Sequence, residues 1–215
     1  MAFQTHSLTQ QLAEHLSDRI IRGEYAPGEP LRESVIAKEL GVSRGAVREA
    51  LLLLERQYLV KWQPRKGASV EPLDGEGAAQ VIEALFSLLV VLMRQWPQLN
   101  AEEHALVENL LTRILNAQEK GRTTFFETSV DILQDVAGLT LNPYLVSAMQ
   151  DLIPAAKRAY WLVLRERPSV VTQMAEAIAG LLDVLDRPAT QERERALWAM
   201  GQTLVEGMRQ QKIPG

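Results

Sequence analysis

Apolar residues recur along the first fifty positions at helical spacing, and the breaks between the runs are as informative as the runs. Leu8, Leu12, Leu16, Ile20 and Ile21 fall three to four apart, which predicts a helix from Leu8 to Arg22. The stretch Gly23-Glu24-Tyr25-Ala26-Pro27-Gly28 ends it. A second helix is expected over Leu31–Leu40 and a third after Ser43. Between these two stand only Gly41 and Val42 with the cap Ser43: Gly41 can take the positive φ needed just past a helix end, and Ser43 can accept a backbone N–H at the next start. An abrupt turn between two short helices predicts a helix-turn-helix.

Each helical residue advances about 100°, so the third helix divides into faces. Val47, Ala50, Leu51 and Leu54 share one arc of roughly 100°, the core face, whereas Arg44, Gly45 and Arg48 lie beside it. A helix entering the major groove by its N-terminal end would present those residues to base edges or phosphates, and arginine's rigid fork of donors suits both. The same pattern also fits an ordinary amphipathic helix with solvated arginines. The residues C-terminal to the helix favour the first reading. Leu59–Gln63 and Ala68–Glu71 predict two short strands joined by the basic turn Pro64-Arg65-Lys66-Gly67, a hairpin able to reach a phosphate or the minor groove beside the helix.

Beyond residue 74 the pattern is helical throughout, with helices expected over 75–95, 101–119, 122–138, 142–165, 169–186 and 189–210. They are separated at Pro97, Asn100, Gly121, Asn142-Pro143, Pro168 and Pro188. The fold class expected is mainly α: an N-terminal winged helix-turn-helix with a small β wing, followed by an all-α antiparallel helical bundle. Pro72-Leu73-Asp74-Gly75 is the natural break, giving domains 1–72 and 73–215. The greasiest segment, Ala84–Met93, is too short to span a bilayer and is expected to be a buried helix or a subunit interface.

Residues 1–72 carry ten Lys and Arg against nine Asp and Glu, while the remainder is acidic, with an overall pI near 5.5. That balance argues against nonspecific coating of nucleic acid, which depends on neutralising many phosphates, and leaves room for a local basic face. The absence of cysteine excludes disulfides and thiolate chemistry. With no Ser-His-Asp arrangement, phosphate-binding glycine loop or metal cluster in view, no enzyme is expected. The start Met1–His6 lacks a signal pattern, so a cytoplasmic protein without membrane attachment is expected.

The order of an initial helix, Gly23-x-x-x-Pro27-Gly28, Leu31-x-Glu33, Leu40-Gly41-Val42-Ser43-Arg44, Val47-Arg48-Glu49-Ala50-Leu51 and a wing ending in Gly67-x-x-Val70 resembles the DNA-binding domain of GntR-family transcription regulators. That family usually has Thr-Pro or Thr-Thr where this chain has Gly45-Ala46, so a hydroxyl often used on phosphate or base is missing. The resemblance implies Arg32, Ser43, Arg44, Gly45, Arg48, Arg65, Lys66 and Gly67 as the DNA-binding set, a palindromic double-stranded operator and a homodimer. The helical half resembles the FCD effector domain of the FadR-like branch, through Asn142-Pro143-Tyr144-Leu145 and Ala196-Leu197-Trp198-Ala199-Met200. It implies a repressor whose operator affinity a small molecule modulates.

Many members of that branch hold a divalent metal through an aspartate and three histidines. The corresponding positions here are Ser129, Leu133, Ala175 and Thr203, a set with too few ligand atoms, so neither a metal nor another cofactor is expected. His104 falls in the first turn of its helix, and Glu127, Asp131 and Asp135 on an outer face. Without a metal the effector pocket would comprise Ser129, Leu133, Ala175 and Thr203, with Arg158 available to an anionic head group beside Tyr160 or Trp161. Such a pocket favours a neutral or largely hydrophobic ligand. The alternative is an interaction or dimerisation module with a winged helix and no small-molecule effector.

Overall fold

The computed structural model describes residues 8–95, 99–137, 139, 142–185, 187 and 190–210. The expected breaks at Pro97 and Pro188, and the stretch Met1–His6, lie outside the described residues. The chain forms two compact units that divide between Leu73 and Asp74.

In the first unit, α1 (Leu8–Ile21) buries Leu12, Leu16, Ile20 and Ile21 of the periodic set, while Leu8, in its first turn, is exposed. Helix α2 (Glu33–Leu40) ends at Gly41, whose φ of 67° is left-handed and whose N–H, like that of Val42, bonds the Ala37 carbonyl. Helix α3 (Arg44–Arg56) starts on Ser43, whose hydroxyl accepts the Ala46 N–H at 3.1 Å. Strands β1 (Val60–Gln63) and β2 (Gly67–Val70) pair antiparallel, Val60 opposite Val70 and Gln63 opposite Gly67. This is a winged helix-turn-helix. Leu31 does not open α2 as its spacing suggests: its N–H bonds the Ala68 carbonyl at 2.8 Å and its side chain is buried in the core. Because Val70 and Gly28–Glu29 also exchange hydrogen bonds, residues 28–31 line the free edge of β2. That protects the edge of a two-stranded sheet, which would otherwise be marginal in water.

The second unit comprises α4 (Gly75–Met93), α5 (Ala101–Gln118), α6 (Arg122–Ala137), α7 (Pro143–Glu166), α8 (Ser169–Leu185) and α9 (Thr190–Arg209). Local chemistry fixes the starts. Asp74 caps α4 through Gly77 N–H at 2.7 Å, Asn100 and Glu103 form a capping box on α5, and Asn142 caps α7 with Pro143 in its first turn. Helix α4 packs on α7 and α9, α5 on α6 and α8, and α6 on α7. Arg94 at the end of α4 meets Glu194 near the start of α9 at 2.9 Å, while Arg209 at the end of α9 reaches Glu76 and Glu83. These two helices therefore run antiparallel. Arg193 is buried and donates to the carbonyls of Leu185 and Arg187 and to Thr190, tying the end of α8 to the start of α9.

By length and composition the whole of α4 is long and apolar enough to cross a membrane, while Leu85, Phe86 and Leu89 of the segment 84–93 lie buried in the bundle, as expected of a core helix. Packing accounts for part of the apolarity, about a third of that stretch being buried. Ile82, Leu85, Phe86 and Leu89 are buried in the bundle, and Gly201 of α9 lies so near that a Cβ there would stand 2.6 Å from Phe86 Cγ.

Candidate functional site

The first unit carries its candidate chemistry on one end of α3 and on the wing. Val47, Ala50, Leu51 and Leu54 are fully buried, which fixes the rotation of α3. Ser43, Arg44, Gly45 and Arg48 are consequently exposed at its N-terminal end. The N–H groups left unpaired at that end, together with the helix dipole, favour an anion. Arg32 stands exposed just before α2, where its backbone starts the helix without a side-chain cap.

At the wing, Lys66 N–H bonds the Gln63 carbonyl at 3.1 Å and closes a tight turn over Pro64 and Arg65. Arg65 occupies the left-handed region with φ 67°, and Gly67 follows at φ 80°. Proline in the first central position suits a type II turn, whose second central position prefers glycine. Here that position holds an arginine, strained in its backbone and exposed with Lys66 at the hairpin tip.

The structure adds one contact that sequence spacing does not reveal. The Arg48 guanidinium carbon lies 5.3 Å from the centroid of the Trp62 ring, a cation–π geometry joining α3 to the wing strand. Trp62 is positioned in turn by its backbone N–H, which bonds the Glu55 carboxylate of α3 at 3.0 Å. Arginine at 48 therefore has one face supported while its edge donors remain available. The sequence contains the signal, a tryptophan in a basic wing, but only the hairpin register places its ring beside Arg48.

The second unit contains an almost wholly apolar cavity of about 110 Å³. Of the residues proposed for an effector pocket, Ser129 and Leu133 line this cavity and Ala175, Thr203 and Arg158 do not. Helical rotation explains each placement. On α8 the cavity takes Met174, Ile178 and Leu181, and Ala175 is turned about 60° beyond the nearest of them. On α9 it takes Leu197, Met200 and Leu204, while Thr203 lies towards a surface groove with Trp198 and Gln202 and donates its hydroxyl to the Ala199 carbonyl. On α7 it takes Ala156, Lys157 and Tyr160, and Arg158 is buried on another side. Trp161 packs instead against Phe126, ring centroids 5.0 Å apart.

These positions do not fit a divalent metal. Leu133 and Ala175 offer no donor atom, and the hydroxyls of Ser129 and Thr203 are committed to backbone carbonyls of their own helices. Among the described residues no group of three or more His, Asp or Glu side chains comes together; Glu127, Asp131 and Asp135 are exposed on α6 and His104 is half-buried on α5.

Residues 8–70 match the family model for bacterial regulatory proteins of the gntR family. The HTH-type transcriptional regulator YieP of Escherichia coli (strain K12) is 26% identical over 213 residues, covering 89% of this chain and 92% of the relative. The Exu regulon transcriptional regulator of the same organism is 28% identical over 211 residues, covering 89% of this chain and 80% of the relative. Among solved structures, E. coli McbR/YncC matches with a TM-score of 0.74 at 22% identity, covering 96% of this chain and 99% of that one. The last is a likeness of fold.

Proposed function

We propose that this chain, a transcription regulator whose DNA-binding domain is of the GntR family, is a homodimeric repressor that recognises a palindromic operator and is released from it by a small molecule. The observation that carries the DNA reading is the division of α3: one face is fully buried, and the N-terminal end of the other exposes Arg44 and Arg48, with Arg48 against Trp62 of the wing strand. Insertion of that end into the major groove brings Arg44 and Arg48 to base edges or phosphates. Arg32, Ser43 and the backbone at Gly45 then face the phosphate backbone, and Arg65, Lys66 and Gly67 the neighbouring groove. A single recognition helix touches few base pairs, so two-fold pairing of identical chains supplies the specificity a genome demands.

The helical unit serves as an FCD-like effector and dimerisation domain in this reading. Ligand binding there shifts the population of dimers whose two recognition helices match the half-site spacing, which is set by the DNA. Repression is the direction that needs no contact beyond occupancy of the site. The protein acts in the cytoplasm, where its operator is. An interaction module without DNA binding leaves the exposed Arg44 and Arg48 without a use, and so ranks second.

Arg48→Ala tests the reading. Loss of a bidentate contact to a base costs about 1–3 kcal/mol of discrimination, so specific binding is expected to weaken about fivefold or more while nonspecific binding changes little. Full operator affinity in the variant, measured by fluorescence anisotropy on labelled duplex, contradicts it.

A further inference from the structure

We infer that the outer face of α4 is a seam on which a second copy of this chain packs, the two α4 helices running antiparallel and meeting at the level of residue 86; the inference rests on the homodimer proposed above and names its surface. The bundle takes Ala78, Ile82, Leu85, Phe86 and Leu89 from α4. A second row remains. Gly77, Val81, Ala84, Leu88 and Val91 follow one another four, three, four and three residues apart and share an arc of about 80° beside the core face. Ala84 and Val91 are exposed and the other three part-buried, and no charged residue of α4 falls on the arc. A surface helix of a monomer ordinarily carries polar and charged side chains outside its core stripe. A row repeating every 3.5 residues is the pattern by which helices pair with helices of the same repeat, and an identical chain supplies that repeat.

Size and charge set the direction. Run antiparallel, the row places Ala84 against Leu88 of the partner subunit and Val81 against Val91 of the partner subunit, small against large and medium against medium. Run parallel, it sets alanine against alanine and leaves a gap. The exposed positions flanking the row are Gln80, Ser87 and Arg94. A parallel pair would bring the two Arg94 guanidinium groups together and align the two helix dipoles. The antiparallel pair sets Arg94 opposite Gln80 of the partner subunit, one turn from the partner subunit's Glu76, so opposite charges approach and the dipoles oppose. In this register the two Gly75 residues stand about 33 Å apart along the helices, at about 1.5 Å per residue. Half-sites one turn of DNA apart are separated by about 34–36 Å. The seam thus holds the starting points of the two linkers near the spacing an inverted repeat requires.

Light scattering and sedimentation of the full chain are expected to show a dimer. Ala84→Arg should raise its dissociation constant about 100-fold or more, because two arginines would enter an apolar seam unpaired, while circular dichroism stays helical. Trp198→Arg, in the exposed groove of α9, should leave the dimer intact. The chain has no cysteine, so introduced single thiols report the direction. With a short bis-maleimide, Ser87→Cys should link to its own copy and Arg94→Cys should not, whereas a mixture of Gln80→Cys and Arg94→Cys chains should link to each other. A dimer that survives Ala84→Arg, or is lost through Trp198→Arg alone, overturns the seam and leaves the homodimer standing. Self-linking by Arg94→Cys overturns the antiparallel arrangement. A wild type that stays monomeric at every concentration removes the homodimer reading and the seam with it, and if that monomer floats with phosphatidylcholine vesicles the row belongs to a lipid surface instead.

Discussion

Replacing Arg65 by glycine should make the winged-helix unit more stable and its DNA binding weaker, two effects of opposite sign at one residue. Arg65 has φ 67° in the second central position of the wing turn. A side chain in the left-handed region costs roughly 1–2 kcal/mol, and glycine removes that strain while giving back about 0.5–1 kcal/mol in backbone entropy. The net gain is of order 0.5–1 kcal/mol, which for a unit of this size raises its thermal midpoint by about 2–8 °C. In the proposed complex the same change deletes one phosphate contact, so the slope of log affinity against log salt should shrink by about 0.9. The assay pairs thermal unfolding of the full chain with operator titrations at several salt concentrations. Arg65→Ala serves as the control, losing the charge and keeping the strain. If Arg65→Gly gains no stability over Arg65→Ala, the turn is not strained at this residue; if neither changes the salt slope, the wing does not touch phosphate.

Other perturbations probe separate links. Trp62→Leu removes the aromatic face beneath Arg48, worth about 0.5–1 kcal/mol at an exposed site, and should weaken operator binding about two- to fivefold; unchanged affinity would show that Arg48 needs no such support. Gly201→Ala would set a Cβ 2.6 Å from Phe86 Cγ. The roughly 1 kcal/mol gained in helix propensity is set against about 1–3 kcal/mol of overpacking, so urea unfolding should show a loss of up to about 2 kcal/mol, and a more stable variant would contradict the close approach of α4 and α9. Hydrogen bonding from Arg209 holds the Glu76 carboxyl below its ordinary range, a group whose contribution is complete above the unfolded pKa and lost as pH falls through the lowered folded value. Arg209→Met should therefore flatten the acid limb of stability against pH, and an unaltered limb would show that the exposed pair adds nothing measurable.

Periodicity carried most of the first unit because each helix there has one buried face: the arc of Val47, Ala50, Leu51 and Leu54 is the arc the structure buries. It misled at Leu31, whose apolar side chain enters the core from an edge segment paired with β2, a long-range contact that local spacing does not encode. The helices of the second unit were marked by their caps and prolines, for Asn100, Gly121 and Asn142-Pro143 stop or start a helix by local chemistry. The cavity was less legible. Ser129 and Leu133 line it, whereas rotation of α9 and α8 turns Thr203 and Ala175 away from it.

Selection of genomic DNA fragments by the purified full-length protein, at two salt concentrations and alongside an Arg44→Ala/Arg48→Ala variant, tests the central claim most directly. The wild type is expected to enrich one short inverted repeat at both concentrations, with half-sites about one helical turn or a multiple apart, and the variant is expected not to. Failure of the wild type to enrich any sequence, or enrichment of the same repeat by the variant, would contradict the assignment of α3 as the element that recognises the operator.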